Sequence, residues 1–224
     1  MSDKPYYKAY DDRYRQVHGQ GLRWFHDQPT PIVAQVMAER GVTKASRVLE
    51  IGCGEGRDAI PLCRQGFDVL ATDVSPRAVA CCAERCPEHA ARFRVLDCLA
   101  DPLEERFDFI YAVAVVHMLV EDAHRAGFYG FIREHLAEGG TALIGSMGDG
   151  ETCRASDVRR AFDLQERVHE QTGRTLRIAG TSCRMVDFPA FLEEIRAAGL
   201  RVIRHGLTDA GPDFPVMMYA VVQA

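Results

Sequence analysis

Val48-Leu49-Glu50-Ile51-Gly52-Cys53-Gly54-Glu55-Gly56-Arg57-Asp58 decides how this chain of 224 residues is read. Its first positions are apolar apart from Glu50, as in a buried strand, and three glycines follow on alternate positions. Lacking a Cβ, each glycine lets the backbone turn sharply and approach a ligand closely. The pattern predicts a helix straight after the turn, near residues 57–65. A turn of this kind, at the carboxyl end of a parallel strand, is where open α/β sheets hold nucleotides.

Spacing narrows the choice of nucleotide. A dinucleotide-binding turn reads G-x-G-x-x-G, yet Arg57 stands three past Gly54 and the last glycine is Gly56. Two acids, Glu50 and Glu55, share the turn. Negative charge there repels a diphosphate and suits a ligand bearing an ammonium and a sulfonium; S-adenosylmethionine has both. A ribose-binding acid is then expected about 20 residues on, at the end of the next strand. Phe67-Asp68-Val69-Leu70-Ala71-Thr72-Asp73 supplies it. Either element alone also fits an ordinary strand–turn–helix with Asp73 as a helix cap. Together they favour the nucleotide.

Two further strands follow in order, Phe93-Arg94-Val95-Leu96-Asp97 and Phe107-Asp108-Phe109-Ile110-Tyr111-Ala112. With the glycine turn and Asp73, they make the segment from about Ser46 to Asp149 resemble the core of the class I S-adenosylmethionine-dependent methyltransferases. The resemblance implies an α/β fold whose seven-stranded, mostly parallel sheet has the order 3-2-1-4-5-7-6, with helices on both faces. The last strand would run antiparallel between the fifth and sixth. S-adenosylmethionine is the implied methyl donor, with S-adenosylhomocysteine as product. Gly52, Cys53, Gly54 and Gly56 would lie against its methionine portion, and Glu50 would act on the ammonium through backbone or a water. Asp73 would take the ribose and Val74 the adenine ring. Asp97 and the backbone of Cys98 would read the adenine edge, with Val113 and Ala114 flanking the sulfonium.

Composition sets outer bounds. Hydrophobic content of 47% and charged content of 26% are those of an ordinary globular domain. A net charge of −5 gives no general attraction to nucleic acid or anionic membrane, so neither is expected as a partner. No apolar run approaches the roughly 20 residues that span a bilayer. Met1-Ser2-Asp3-Lys4-Pro5-Tyr6-Tyr7 lacks the apolar core of a signal peptide, and a cytoplasmic location is expected. The eight cysteines contain no C-x-x-C pair and are read as reduced thiols, with no metal site.

Residues 1–45 read as a cap of two or three helices with an aromatic start, and 46–224 as the methyltransferase domain. Tyr14 and Trp24 are the cap aromatics expected to border the cofactor and the methyl-transfer cavity. Strands are predicted near 46–51, 67–72, 91–96, 107–113 and 141–147, with helices near 57–65, 76–87 and 122–138. Glu138-Gly139-Gly140 reads as a helix stop. Residues 150–187 form an insert, expected to act as a substrate lid, in which 175–178 and 183–186 suggest a hairpin. Its seven arginines are nearly offset by six acids, so a polyanionic substrate is not expected. A helix at 188–195 and strands at 200–203 and 216–222 complete the chain.

Methyl transfer from a sulfonium is an in-line displacement, and it needs a base only where the nucleophile keeps its proton. Val113-Ala114-Val115-Val116-His117-Met118-Leu119 follows the fourth strand at the expected reactive edge. His117 is the candidate catalytic group, because an imidazole titrating near neutrality can remove or hold a substrate proton; a histidine held only by packing is the other reading. Val113 to Val116 offer no polar side chain to polarise a planar amine, which disfavours nucleobase and glutamine acceptors. The expectation is a small-molecule methyltransferase acting on O, N or S, as monomer or homodimer. A protein or RNA methyltransferase and a non-catalytic binding module are the alternatives.

Overall fold

In the computed structural model, residues 4–212 and 214–224 are described, so Met1-Ser2-Asp3 of the amino-terminal reading lie outside it. Two helices precede the sheet. A 3-10 turn at Tyr6–Lys8 leads into α1 (Ala9–His18), and α2 (Pro31–Glu39) begins on a proline, where its missing N–H costs nothing. The Tyr6 hydroxyl accepts the amides of Val120 (2.8 Å) and Glu121 (3.0 Å), tying the cap to the segment after the fourth strand.

The sheet then builds from buried apolar strands. In chain order come β1 (Arg47–Ile51), α3 (Ala59–Arg64), β2 (Asp68–Asp73), α4 (Pro76–Arg85) and β3 (Phe93–Val95). After them follow β4 (Phe107–Val113), α5 (Asp122–His135) and β5 (Leu136–Met147). Gly52, Gly54 and Gly56 all take left-handed φ, at 73°, 53° and 82°, so the chain stays in turns until Ala59 instead of entering the helix at residue 57. Before Pro87 the expected helix stops at Arg85, because proline disfavours helical geometry in the preceding residue, and Cys86 sits at φ −139°. Glu138-Gly139-Gly140 is not a helix stop. Gly139 has φ +74° and a Cβ on Gly140 would meet two carbonyl oxygens within 3.0 Å, so the pair forms an irregularity in strand pairing that lets β5 begin at Leu136.

The insert departs from the predicted hairpin. It holds β6 (Arg154–Ala155), β7 (Leu164–Val168), β8 (Thr175–Ala179) and β9 (Arg184–Met185), which pair as β6–β9 and β7–β8. Residues 175–178 and 183–186 do not face each other, because the backbone between them is committed elsewhere. Gly180 donates to the Asp163 carbonyl (2.9 Å), Thr181 to that of Ala161 (2.8 Å), and Thr181 takes φ +61°.

Beyond it, α6 (Phe188–Ala197) is capped by Asp187, whose side chain accepts the Ala190 amide. The strands β10 (Arg201–Thr208) and β11 (Met217–Gln223) close the sheet. Its order is 3-2-1-4-5-11-10, the expected arrangement once the insert's four short strands are counted. Pairs β1–β2, β1–β4, β2–β3 and β4–β5 are parallel, and β11 is antiparallel to both β5 and β10. One core packs α5 and α6 against the sheet around Phe128, Ile132 and Phe191; the other packs α2, α3 and α4 around Val36, Ile60 and Cys82. All eight cysteines are free thiols, five of them buried.

The turn that carries His117 is fixed from below. Arg125, 1% exposed, donates through Nη1 to the carbonyls of Val116 (2.8 Å) and Leu119 (3.2 Å) and through Nε to Glu194 (2.8 Å). Glu194→Ala leaves this guanidinium buried without its carboxylate, a change that costs about 3 kcal/mol. Urea unfolding checks it; an unchanged midpoint contradicts it.

Candidate active site

At the carboxyl ends of β1, β2 and β4 lies a cleft of about 1030 Å³, open to solvent on one side. Gly52 and Gly54 form its floor, and neither tolerates a side chain. A Cβ on Gly52 would stand 2.4 Å from Val115, and one on Gly54 2.9 Å from the Tyr14 hydroxyl. The turn is held from β2 by Asp73. Its Oδ2 accepts the Gly54 amide (2.8 Å) and its Oδ1 the Ser75 amide (2.8 Å). Burial pushes the Asp73 carboxyl up to about 6, against those two hydrogen bonds.

Glu50 reaches the same cleft from β1, buried, and its Oε2 has no hydrogen-bond partner. Burial drives its pKa well above the carboxylate range, and the nearby Asp58 charge adds to this. The Tyr111 hydroxyl beside it partly offsets this rise, and the oxygen remains a buried acceptor without a donor of good geometry.

Glu55, read from sequence as part of that negative bed, has a different task. Arg77 Nε donates to His18 Nδ1 (2.9 Å), which leaves His18 Nε2–H to donate to Glu55 Oε1 (2.6 Å). The amides of Trp24 and Phe25 fill the remaining acceptor sites, each at 2.9 Å. Glu55 thus ties the cap onto the glycine turn. Asp58 repeats the device at α2, accepting the Thr30 amide and hydroxyl at 2.5 and 2.9 Å.

Cys53, Val74, Asp97, Cys98, Val113 and Ala114 also border the cleft, as does Tyr14. Asp97 accepts the Leu99 amide (3.1 Å), the Tyr7 hydroxyl (3.1 Å) and the Lys8 ammonium (2.9 Å). Ala114 has φ +59°, a strained conformation for a residue with a Cβ, of the kind that collects at functional edges. Three expected residues stand apart. Gly56 lies off the cleft wall; its missing Cβ makes room for Ile60 (2.6 Å) and Cys82 (3.0 Å), so it serves helix packing. Trp24 and His117 line a second, outer chamber of about 1370 Å³ that shares Tyr10, Phe25, Met118 and Phe214 with the cleft.

His117 is 2% exposed, its ring centroid 6.1 Å from that of Phe214, and its Nδ1 has no partner. Burial lowers its pKa to about 3, with the Arg125 charge adding to the effect. The imidazole is therefore neutral around pH 7, which corrects the expectation that it titrates there. Sequence reasoning missed Arg13 and Phe214, and it passed over Tyr7 and Tyr10 of the aromatic start in favour of Tyr14 and Trp24. Tyr10, Arg13 and Tyr14 lie three and four residues apart, on one face of α1, and that spacing was the available signal. Phe214 sits in an irregular segment before β11 that carries no signal.

The domain family described as "Methyltransferase domain" matches residues 48–140. Together with the sheet order and the glycine cleft, this match makes residues 48–140 a methyltransferase domain of Rossmann-like fold. The chain is 37% identical to magnesium-protoporphyrin O-methyltransferase of Rhodobacter capsulatus over 70 residues, 30% of this chain and 31% of that protein. It is 33% identical to hemagglutinin 1 of Eikenella corrodens over 105 residues, 46% of this chain and 35% of that one. It spans about a third of the length of these curated relatives. The glycopeptide N-methyltransferase MtfA complexed with S-adenosylmethionine has a TM-score of 0.64 at 22% identity, covering 90% of this chain and 96% of that chain, a likeness of fold.

Glu55→Ala removes the acceptor from three part-buried donors, His18 Nε2 and the amides of Trp24 and Phe25. It lowers stability by about 2 kcal/mol and exposes residues 18–30 to cleavage. Thermal unfolding and limited proteolysis check this; wild-type resistance in that segment contradicts it.

Proposed function

We propose that this protein transfers a methyl group from S-adenosylmethionine to a small-molecule acceptor, with the outer chamber as acceptor site and the insert as its lid. The observation that carries the reading is the unpartnered Glu50 Oε2 in an acidic cleft floored by Gly52 and Gly54. The residues present fit the donor. Glu50 suits its ammonium, Asp73 its ribose hydroxyls, Val74 the adenine face, and Asp97 with the Cys98 backbone the adenine edge. Tyr14, Cys53, Val113 and Ala114 complete the walls. Bound there, S-adenosylmethionine supplies a methyl carbon already activated by positive sulfur.

The chain's own task is alignment and exclusion of water. Holding two reactants in line is worth about 7–11 kcal/mol at best. Cap and insert are fastened together for that purpose. Gln16 Oε1 accepts the Ala179 amide (2.6 Å), and His169 Nε2 meets the Arg23 carbonyl (2.6 Å). A neutral His117 positions the acceptor by a hydrogen bond and is a poor base, which favours nucleophiles that need none, such as neutral amines and thiolates. The roof formed by α1 and the insert supports a small acceptor over a folded macromolecule. No helix among the described residues is long and apolar enough to cross a membrane.

Calorimetry with S-adenosylhomocysteine tests donor binding. Asp73→Ala loses hydrogen bonds to a charged group, worth about 1.5–3 kcal/mol each, and weakens binding roughly a hundredfold. Because Asp73 protonates near pH 6 in the free protein, affinity falls as pH drops below that value, and Asp73→Asn flattens the profile. Equal affinity at pH 5 and 7.5 contradicts this role. Labelled methyl transfer into a fractionated extract then identifies the acceptor: label in small molecules supports the reading, and label confined to protein or RNA overturns it.

His117→Gln keeps a hydrogen-bonding group without a basic nitrogen. With the acceptor so identified, it retains most of kcat at an unaltered pH profile. A loss of about a hundredfold or more, the scale of general-base catalysis, contradicts the positioning role.

A further inference from the structure

The outer chamber has the opposite charge from the cleft. Arg13, Arg154 and Arg167 face it, against Glu170 as its carboxylate, whereas the cleft collects Glu50, Glu55, Asp58, Asp73 and Asp97. None of the three arginines forms an ion pair among the described residues; Arg154 Nε rests on Met185 Sδ (3.1 Å) and Arg167 Nη2 on Gln165 Oε1 (3.1 Å). The near-balance of charge along the insert does not survive folding. Asp157 pairs with Arg159, Asp163 with Arg160, and Asp187 caps α6, so these acids are spent away from the chamber.

Arg13 is the decisive group. It is 7% exposed, on α1, and a buried cation without a carboxylate is costly. Its Nε and Nη2 donate to the Ala179 carbonyl (3.1 and 3.0 Å), and Nη2 also to that of Gly180 (2.8 Å). Nη1 donates to no acceptor among the described residues. The guanidinium lies 5.1 Å from the Tyr10 ring centroid and 4.9 Å from that of Trp24, so it is held rigidly between aromatic faces. A guanidinium so fixed, with Nε and Nη2 spent on carbonyls, offers Nη1 as a charge-assisted donor to one carboxylate oxygen. His117 lines the same chamber, and its buried Nδ1 has no hydrogen-bond partner.

We propose that the outer chamber selects acceptors bearing a single carboxylate, gripped by Arg13 with Arg154 and Arg167, on a flat apolar body packed between Tyr10, Trp24 and Phe214. This rests on the methyl-transfer reading for the word acceptor, and on the chamber alone for the carboxylate. The acceptor's charge then lies at the far side from the acidic cleft, which orients its other end toward the shared wall at Met118 and Phe214.

Trp24 is the sole tryptophan, so its emission reports directly on the chamber. The probes are phenylacetate and 2-phenylacetamide, equal in shape and different in charge, each titrated with and without S-adenosylhomocysteine. Phenylacetate is expected to change Trp24 emission saturably and to bind roughly tenfold tighter than the amide. Arg154→Gln/Arg167→Gln, two exposed positions, weakens phenylacetate several-fold and leaves the amide unchanged. Arg13→Gln abolishes the preference, and circular dichroism confirms that its fold is kept, since Arg13 also anchors β8. Equal binding of the two probes overturns the proposal, as does no saturable response to phenylacetate in protein that binds S-adenosylhomocysteine normally. Absence of S-adenosylhomocysteine binding overturns the proposed function instead, and the probe titrations without it still decide the carboxylate preference.

Discussion

Two buried carboxylates grip the glycine turn from opposite sides, and the rest of the site depends on that grip. Asp73 takes the Gly54 amide from the sheet side; Glu55 takes the Trp24 and Phe25 amides from the cap side. Hydrogen bonds to charged groups contribute about 1.5–3 kcal/mol each, enough to hold a backbone in left-handed φ against its entropy. The turn is therefore both the floor of the cleft and the anchor of its roof. Through Phe25 it also sets part of the wall shared with the outer chamber, which Trp24 lines.

That architecture divides charge as well as space. The cleft is acidic and suits a cationic donor, while the chamber presents arginines and aromatic faces. Arg13 belongs to both layers: it rises from α1 and holds the carbonyls of Ala179 and Gly180 at the end of β8. Cap and insert, distant in sequence, thereby act as one roof.

The sheet was legible because its signals are local. Val48 to Ile51 and Phe107 to Val113 are apolar apart from Glu50 and Asp108, the glycines mark a turn, and Asp73 closes its strand on schedule. The glycine turn and Asp73 follow from those markers by spacing, whereas Val74, Asp97, Cys98, Val113 and Ala114 came from the family resemblance. Where the reading strayed, a distant partner decided the outcome. Nothing near Glu55 shows that His18, Trp24 and Phe25 will claim its oxygens, and nothing near Gly56 shows that Cys82 will need its space. The insert's strands were partly visible but their pairing was not, since Asp163, Ala161 and Arg13 take the backbone groups a hairpin would have used. His117 was found by position; its burial against Phe214, which keeps it neutral, has no sequence signature.

Hydrogen exchange with and without S-adenosylhomocysteine tests the central claim most directly. If the glycine turn joins floor and roof, saturation slows exchange at residues 52–56 and, at the same ligand concentration, at Trp24 and Phe25 in the cap. Protection of the turn with unaltered exchange at Trp24 and Phe25, or no protection of the turn at all, would contradict it.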